Sequence, residues 1–276
     1  MGARRNATST TAGILRPDEF ARHAHVERLP SSPDLAPWVE NHWVLTWDLP
    51  AGTAFSSQTV PHPACTVSVE LGHRRDGVGE DPVVVTGVVS RRFDVATAGS
   101  GWVLVVKFRP GGLAALTGGD ASEWTDRTLP AVDALPAPVV DSLRLIGAGT
   151  PAARAAALAD EALGPLVCGD RDPAYDTVLA LVADMLEDRS LLRVADVAAR
   201  HDLPRRRLER LFSKYVGVGA KWVLARYRMH DVLSALDGGY DGTLADLAAT
   251  YGWYDQAHFT RDFVALVGVT PQDYRS

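Results

Sequence analysis

Two stretches near the end of the chain place apolar residues at the same helical spacing. In the first, Val194, Val197 and Ala198 are followed by Leu208, Leu211, Phe212 and Tyr215. In the second, Leu244, Leu247 and Ala248 are followed by Phe259, Phe263 and Leu266. Steps of three and four residues mark one buried helix face. VADVAA (194–199) matches LADLAA (244–249) at an offset of 50, and beyond the turn the offset becomes 51, with Leu208 on Phe259, Arg210 on Arg261 and Phe212 on Phe263. One unit is therefore present twice, with one residue inserted in the second turn. Each copy predicts a short helix, a tight turn and a longer helix. The turns carry Asp202 and Gly252, residue types that accept a left-handed backbone. Asp255 is a natural N-cap for the second long helix.

Between the copies, Trp222, Ala225, Met229, Val232, Leu233 and Leu236 keep helical spacing, so a connecting helix is expected. Each unit and this helix supply their own apolar stripes. A fragment from about Asp172 to Ser276 is accordingly expected to fold alone. The chain before them has a different texture. CTVSVEL (65–71) alternates, and PVVVTGVVS and GWVLVVKFRPGG are β-branched runs bounded by Gly and Pro, so residues 35 to 110 read as strands. PAARAAALADEALGPL from Pro151 predicts a short helix ending near Gly164. Trp38, Trp43, Trp47 and Trp102 cluster in the strand-rich part. Core packing is the ordinary reading. An aromatic effector pocket using Trp43, Trp47 and Trp102 is the alternative.

The polar faces of the two long helices suggest chemistry. Arg206 and Arg210 lie about 160° from the apolar stripe of their helix at 100° per residue. In the second copy Ala257 and Arg261 take the outward positions, flanked by Thr260, with Gln256 at the helix start. Arg pairs with guanine, Gln with adenine, and Ala packs on a thymine methyl in a major groove. Arg205 and Arg207 add charge at the start of the first helix. Two such helices held by a connector suit adjacent major grooves about 34 Å apart.

Residues 176–276 resemble the DNA-binding domain of the AraC/XylS family of transcription regulators. The resemblance is carried by VADVAARHDL, RLERLFSKYVG, RYRMHDVLSAL, LADLAATYGWYDQAHFTRDF and GVTPQDYR. It implies sequence-specific binding of double-stranded DNA by two helix-turn-helix units joined by a long helix. Carried over by position, Arg206 and Arg210 are base readers of the first unit, and Gln256, Ala257, Thr260 and Arg261 of the second. RNA polymerase is a further partner if the protein is an activator. The chain departs from the family pattern at Asp202, where Gly is usual, and at Pro204, where a capping Ser is usual; GVGA (217–220) also lacks the proline of GVTP (268–271). The region ahead resembles the β-rich sensory or dimerisation part of such regulators, for which a small-molecule effector or a homodimer is expected. In the best-known members that part is a cupin-like barrel.

The fold class expected is α+β. A disordered tail (1–13) precedes a β-rich domain with flanking helices (14–167), for which a barrel is one available form. A linker (168–175) leads to an all-α double helix-turn-helix domain (176–276).

Charge refines this picture. The net charge is −6, yet from Arg193 onward 12 Lys and Arg face 10 Asp and Glu, a balance of +2, while the remainder holds 16 against 24, or −8. Parts of opposite sign suggest different partners. The tail lacks the apolar segment of a signal peptide, and no apolar run of about 18 residues occurs. The two cysteines, Cys65 and Cys168, form no disulfide framework and fit a reducing cytoplasm. No catalytic arrangement is visible, so no enzyme activity and no cofactor are expected. His62, Cys65 and His73 could suggest a metal, but such a site needs three or four converging ligands, and Cys65 opens an alternating strand where a buried small hydrophobe is the ordinary outcome. The Gly111-Gly112 pair lacks the Lys-Ser/Thr of a phosphate loop. Two alternatives stay open from the sequence. One is a DNA-alkylation sensor or repair protein using Cys65; the other is an interaction module of this fold without DNA affinity.

Overall fold

The structure, a computed structural model, describes residues 13–275. The tail expected over 1–13 lies outside the described residues apart from Gly13. The strands, in chain order, are β1 (His25–Leu29), β2 (Val39–Asp48), β3 (Ala54–Thr59), β4 (Thr66–Gly72), β5 (Val83–Thr86), β6 (Phe93–Ala98), β7 (Ser100–Phe108) and β8 (Thr128–Pro130). Six of them form one antiparallel sheet in the order β1-β2-β7-β4-β5-β8, and β3 and β6 pair with each other as a separate ribbon. β7 is the spine: Val103 lies opposite Leu45 of β2 and Glu70 of β4.

Alternation along the strands sends successive side chains to opposite faces. One face of the large sheet buries Val44, Val67, Val69, Leu104 and Val106. The helices α3 (Ala137–Arg144) and α4 (Ala152–Leu163) cover it. Five buried alanines of α4 let that helix lie close, and its Asp160 is 2.7 Å from Nε2 of the buried His42. The other face turns Trp43, Leu45, Val103 and Val105 toward the ribbon. The barrel form is not realised. β1 and β8 are both edges of an open sheet, because β3 and β6 cover a face of the sheet instead of bridging its ends.

The remaining helices are α1 (Pro17–His23), α2 (Gly112–Thr117), α5 (Pro173–Glu187), α6 (Val194–Arg200), α7 (Arg205–Leu211), α8 (Ala220–Asp237), α9 (Leu244–Thr250), α10 (Gln256–Val267) and α11 (Pro271–Arg275). The linker expected over 168–175 is shorter than that. Asp172 caps α5 by accepting from Ala174 N at 2.9 Å, and Pro173 opens the helix because a proline at the first position sacrifices no hydrogen bond. The connecting helix is α8, about 27 Å long at 1.5 Å per residue. It buries more of its circumference than the stripe predicted. Arg226, Tyr227 and His230 are buried, whereas Ala225 is exposed.

The core is divided along α8 and not along the linker. One continuous cluster runs from Val44, Leu104 and Phe108 of the sheet through Tyr175 of α5 and Val197 of α6 to Leu208, Phe212 and Tyr227. A second cluster begins at Met229 and takes in Leu247, Trp253, Phe259 and Phe263, together with Leu15 and Val60 from the N-terminal part. The first helix-turn-helix unit therefore shares its core with the sheet domain. Contact is intimate at one point: Gly111 (φ 83°) lies where a Cβ would sit 3.1 Å from Tyr215 Cβ. Thr125 Oγ1 donates to the Gly217 carbonyl at 2.7 Å, and Tyr175 OH donates to the Pro37 carbonyl at 2.9 Å. This continuity argues against the expectation that residues 172–276 fold alone.

Candidate DNA-reading surface and effector pocket

Both copies fold as helix, turn, helix, and the turns agree in their unusual backbone. Asp202 has φ 47° and Gly252 φ 79°, so the aspartate adopts the left-handed conformation that glycine holds in the second copy. The inserted residue is Tyr254, which stands between Trp253 and the cap Asp255 and is 93% exposed. Asp255 accepts from His258 N at 2.7 Å, the reach of an N-cap to the third helical residue. Thr243 caps α9 in the same way through Asp246 N at 3.0 Å. Arg193 and Pro204 occupy the matching positions of the first unit and make no side-chain cap. Asp255→Ala is expected to destabilise the second unit by about 1 kcal/mol. Urea unfolding checks this, with Asp255→Asn close to wild type.

The two long helices end alike. α7 continues through a π turn, Phe212–Val216, to Gly217 at φ 85°, and α10 runs to Gly268 at φ 90°. Phe212 and Tyr215 face inward in the first, Phe259 and Phe263 in the second. On the outward side Arg205, Arg206, Arg207 and Arg210 are exposed. Arg205 Nε donates to Glu209 at 2.8 Å. Among the described residues Arg206, Arg207 and Arg210 have no acidic partner. In α10, Gln256, Ala257 and Arg261 are exposed and Thr260 is half-buried. Trp253 is buried and donates from Nε1 to Asp262 at 2.8 Å, so it belongs to the core of the unit. His258 lies 3.4 Å from Asp262.

The ribbon of β3 and β6 and the facing side of the large sheet enclose a cavity of about 230 Å³. Trp43, Leu45, Trp47, Phe55, Phe93 and Val105 give it an apolar lining. Trp43 and Trp47 thus line it, as the aromatic alternative requires. Trp102 does not. One residue out of phase with Val103 and Val105, it packs in the helix-side core. Two ion pairs lie at the cavity. Arg75 meets Glu70 at 3.1 Å, and Lys107 meets Glu40 at 3.1 Å. Burial pulls the Lys107 ammonium below its ordinary pKa, against the attraction of Glu40. Both pairs leave a signal in the sequence, a lone Glu in CTVSVEL and a lone Lys in WVLVVKF. A charge at an alternating strand position marks a face that is not plain core.

Cys65 is buried, and burial pushes its thiol up to about 12. A thiol held protonated is a poor nucleophile, which weighs against the alkylation-repair alternative. Among the described residues no group of three or more His, Cys, Asp or Glu is placed to hold a metal, and no helix is long and apolar enough to cross a membrane.

Residues 197–276 match the model of a helix-turn-helix domain, and residues 27–130 match a domain of unknown function, DUF6597. The transcriptional activator RhaR of Yersinia pseudotuberculosis is 30% identical over 82 residues, as is RhaR of Yersinia pestis; the match takes in 30% of this chain and 28% of the length of those relatives. Among solved structures, ToxT of Vibrio cholerae superposes over 92% of this chain and 98% of its own, at 12% identity and a TM-score of 0.41. A singly substituted apo form of ToxT covers 85% and 96%, at 15% identity and a TM-score of 0.40. The duplicated unit, its left-handed turns and the family match over the same residues agree: the C-terminal part of this chain is a double helix-turn-helix DNA-binding domain of the AraC/XylS type.

Proposed function

We propose that the protein is a one-component transcription regulator that reads DNA with α7 and α10 and responds to a small effector held between the ribbon and the sheet. The observation that carries this reading is the matched outward face of two helices that share a turn geometry. Arg206 and Arg210 read bases for the first head, and Gln256, Ala257, Thr260 and Arg261 for the second. Arg205 and Arg207 hold phosphates. The apolar lining and modest volume of the cavity suit a small, largely apolar molecule. Activation is the sense of regulation supported by the name of the RhaR relatives, which makes RNA polymerase the further partner and the cytoplasm the place of action. Homodimerisation through the N-terminal part fits the same reading.

Genome-wide selection of bound fragments tests the proposal. Recovery of one common sequence with two half-sites supports it, and enrichment no better than for scrambled DNA refutes it. Arg207→Ala should lower the slope of log affinity against log salt by about 0.9, and weaken specific and scrambled duplexes alike. The same change at Arg205 is expected to do less, because Glu209 already neutralises it. A salt titration of the two variants side by side measures the difference.

A further inference from the structure

The ribbon touches two things at once. Along its length Phe55, Ser57, Val95 and Thr97 line the cavity. At its root, where Thr59 pairs with Phe93, both strands run onto α8 and the second helix-turn-helix unit. After β3, Val60 enters the core of that unit, and His62 stacks on His230 of α8 with ring centres 4.0 Å apart and planes at 3°. Before β6, the Ser90 carbonyl accepts from Trp222 Nε1 at 3.2 Å and from Arg226 Nη2 at 2.7 Å, both on α8. Arg92 Nη1 donates to the carbonyl of Val267, the last residue of α10, at 2.9 Å. Arg92 is fixed in turn by Asp94 of β6 through bonds of 2.7 and 2.8 Å.

The first unit meets the ribbon root only indirectly, through Asp126, which accepts from Ser90 N and Oγ at 2.7 and 2.6 Å, and through Trp222. Its Phe212–Val216 turn packs on α2 and on residues 121–123, and Thr125 binds Gly217. None of these residues lines the cavity. The ribbon, for its part, pairs with no strand of the large sheet.

From this arrangement we infer that the ribbon transmits occupancy of the cavity to the second reading head, so that an effector sets the position of α10 relative to α7. The regulated quantity is then the spacing of the two heads, not the chemistry of either. An occupant that moves the ribbon against the sheet moves its root, and the root is bonded to the end of α10 and to α8. Two heads on one DNA face must keep step with adjacent grooves, so a small displacement changes which half-site separation is preferred. A ligand acts only through its different affinity for the two arrangements. The inference rests on the reading of the cavity as the effector site.

The test fills the cavity from the ribbon and removes the clamp. Ser57→Phe, Arg92→Ala and the double variant are compared with wild type on two duplexes, one with the selected half-site separation and one with a single base pair added. The measured quantity is the ratio of the two affinities. Ser57→Phe is expected to change this ratio about fivefold or more. In the Arg92→Ala background the same substitution should change it clearly less, because the bond from the root to the end of α10 is gone. The inference is overturned if Ser57→Phe leaves the ratio at the wild-type value, or shifts it equally with and without Arg92. Should Ser57→Phe fail to melt cooperatively, Val95→Phe takes its place under the same two criteria. Wild type that cannot tell either duplex from scrambled DNA refutes the regulator reading itself. Wild type that discriminates, with ratios that ignore the cavity, refutes only the coupling.

Discussion

Phe212→Ala is expected to lower stability by about 3–5 kcal/mol, the range for truncating a fully buried aromatic side chain. Phe212 has no solvent exposure and sits in the π turn that closes α7. Its cluster also contains Leu104 and Phe108 of the sheet, Tyr175 of α5 and Tyr227 of α8. The loss should therefore appear in a single transition that carries the sheet domain and the first unit together. Tryptophan fluorescence and far-ultraviolet circular dichroism, followed through urea unfolding, should move together. Phe259→Ala is the contrasting case. It is equally buried, but its cluster is that of the second unit, so amides of α9 and α10 should lose exchange protection well before those of β7. If both variants weaken the sheet to the same degree, the division of the core along α8 is wrong.

Arg210→Ala and Arg261→Ala should each cost about 1–3 kcal/mol of specific DNA binding. They occupy equivalent places in the two copies and both are exposed. Neither is tied up by an acid among the described residues. Placed on separate units with no shared partner, they should act additively in the double variant. Each should also relax preference at its own base pairs, so the two variants select sequences degenerate in different half-sites. Binding measured on a panel of single-base duplexes reads this out. Identical degeneracy from both, or wild-type affinity in the double variant, would remove the two-headed model.

The reading units were legible because their determinants are local. A repeat of 50 residues, a left-handed turn marked by Asp or Gly, and a capping Asp are each written in a few neighbouring positions. The structure places φ above zero at Asp202 and Gly252 and the cap bond at Asp255. The sheet domain was legible only as strands. Alternation shows that two faces differ, but not which face meets helices and which meets the ribbon, so Trp102 was grouped with Trp43 and Trp47 although it points the opposite way. Whether strands close into a barrel depends on pairing between distant segments, and here β1 and β8 remain edges. The connecting helix was placed correctly by period, yet Ala225 proved exposed while Arg226 and His230 were buried. Those two polar side chains are inside because the segment around Ser90 and the ring of His62 meet them there, and no helical period encodes such contacts.

The seam in α8 between Tyr227 and Met229 has a bearing on how such a chain can be recombined. Two copies of one unit have come to stand in different relations to their neighbour. The first has fused with the sheet domain through Phe212, Tyr215 and Tyr175, whereas the second keeps a core almost wholly its own. An exchange of parts between related chains at residues 168–175 would cut through a packed interior and leave half of it with each product. A crossover within α8, between Tyr227 and Met229, would instead hand over a core complete but for Leu15 and Val60 and bring a new reading helix under the same ribbon. A change of DNA specificity can thus pass through the second head alone, while the first head descends with the sheet domain to which it is joined.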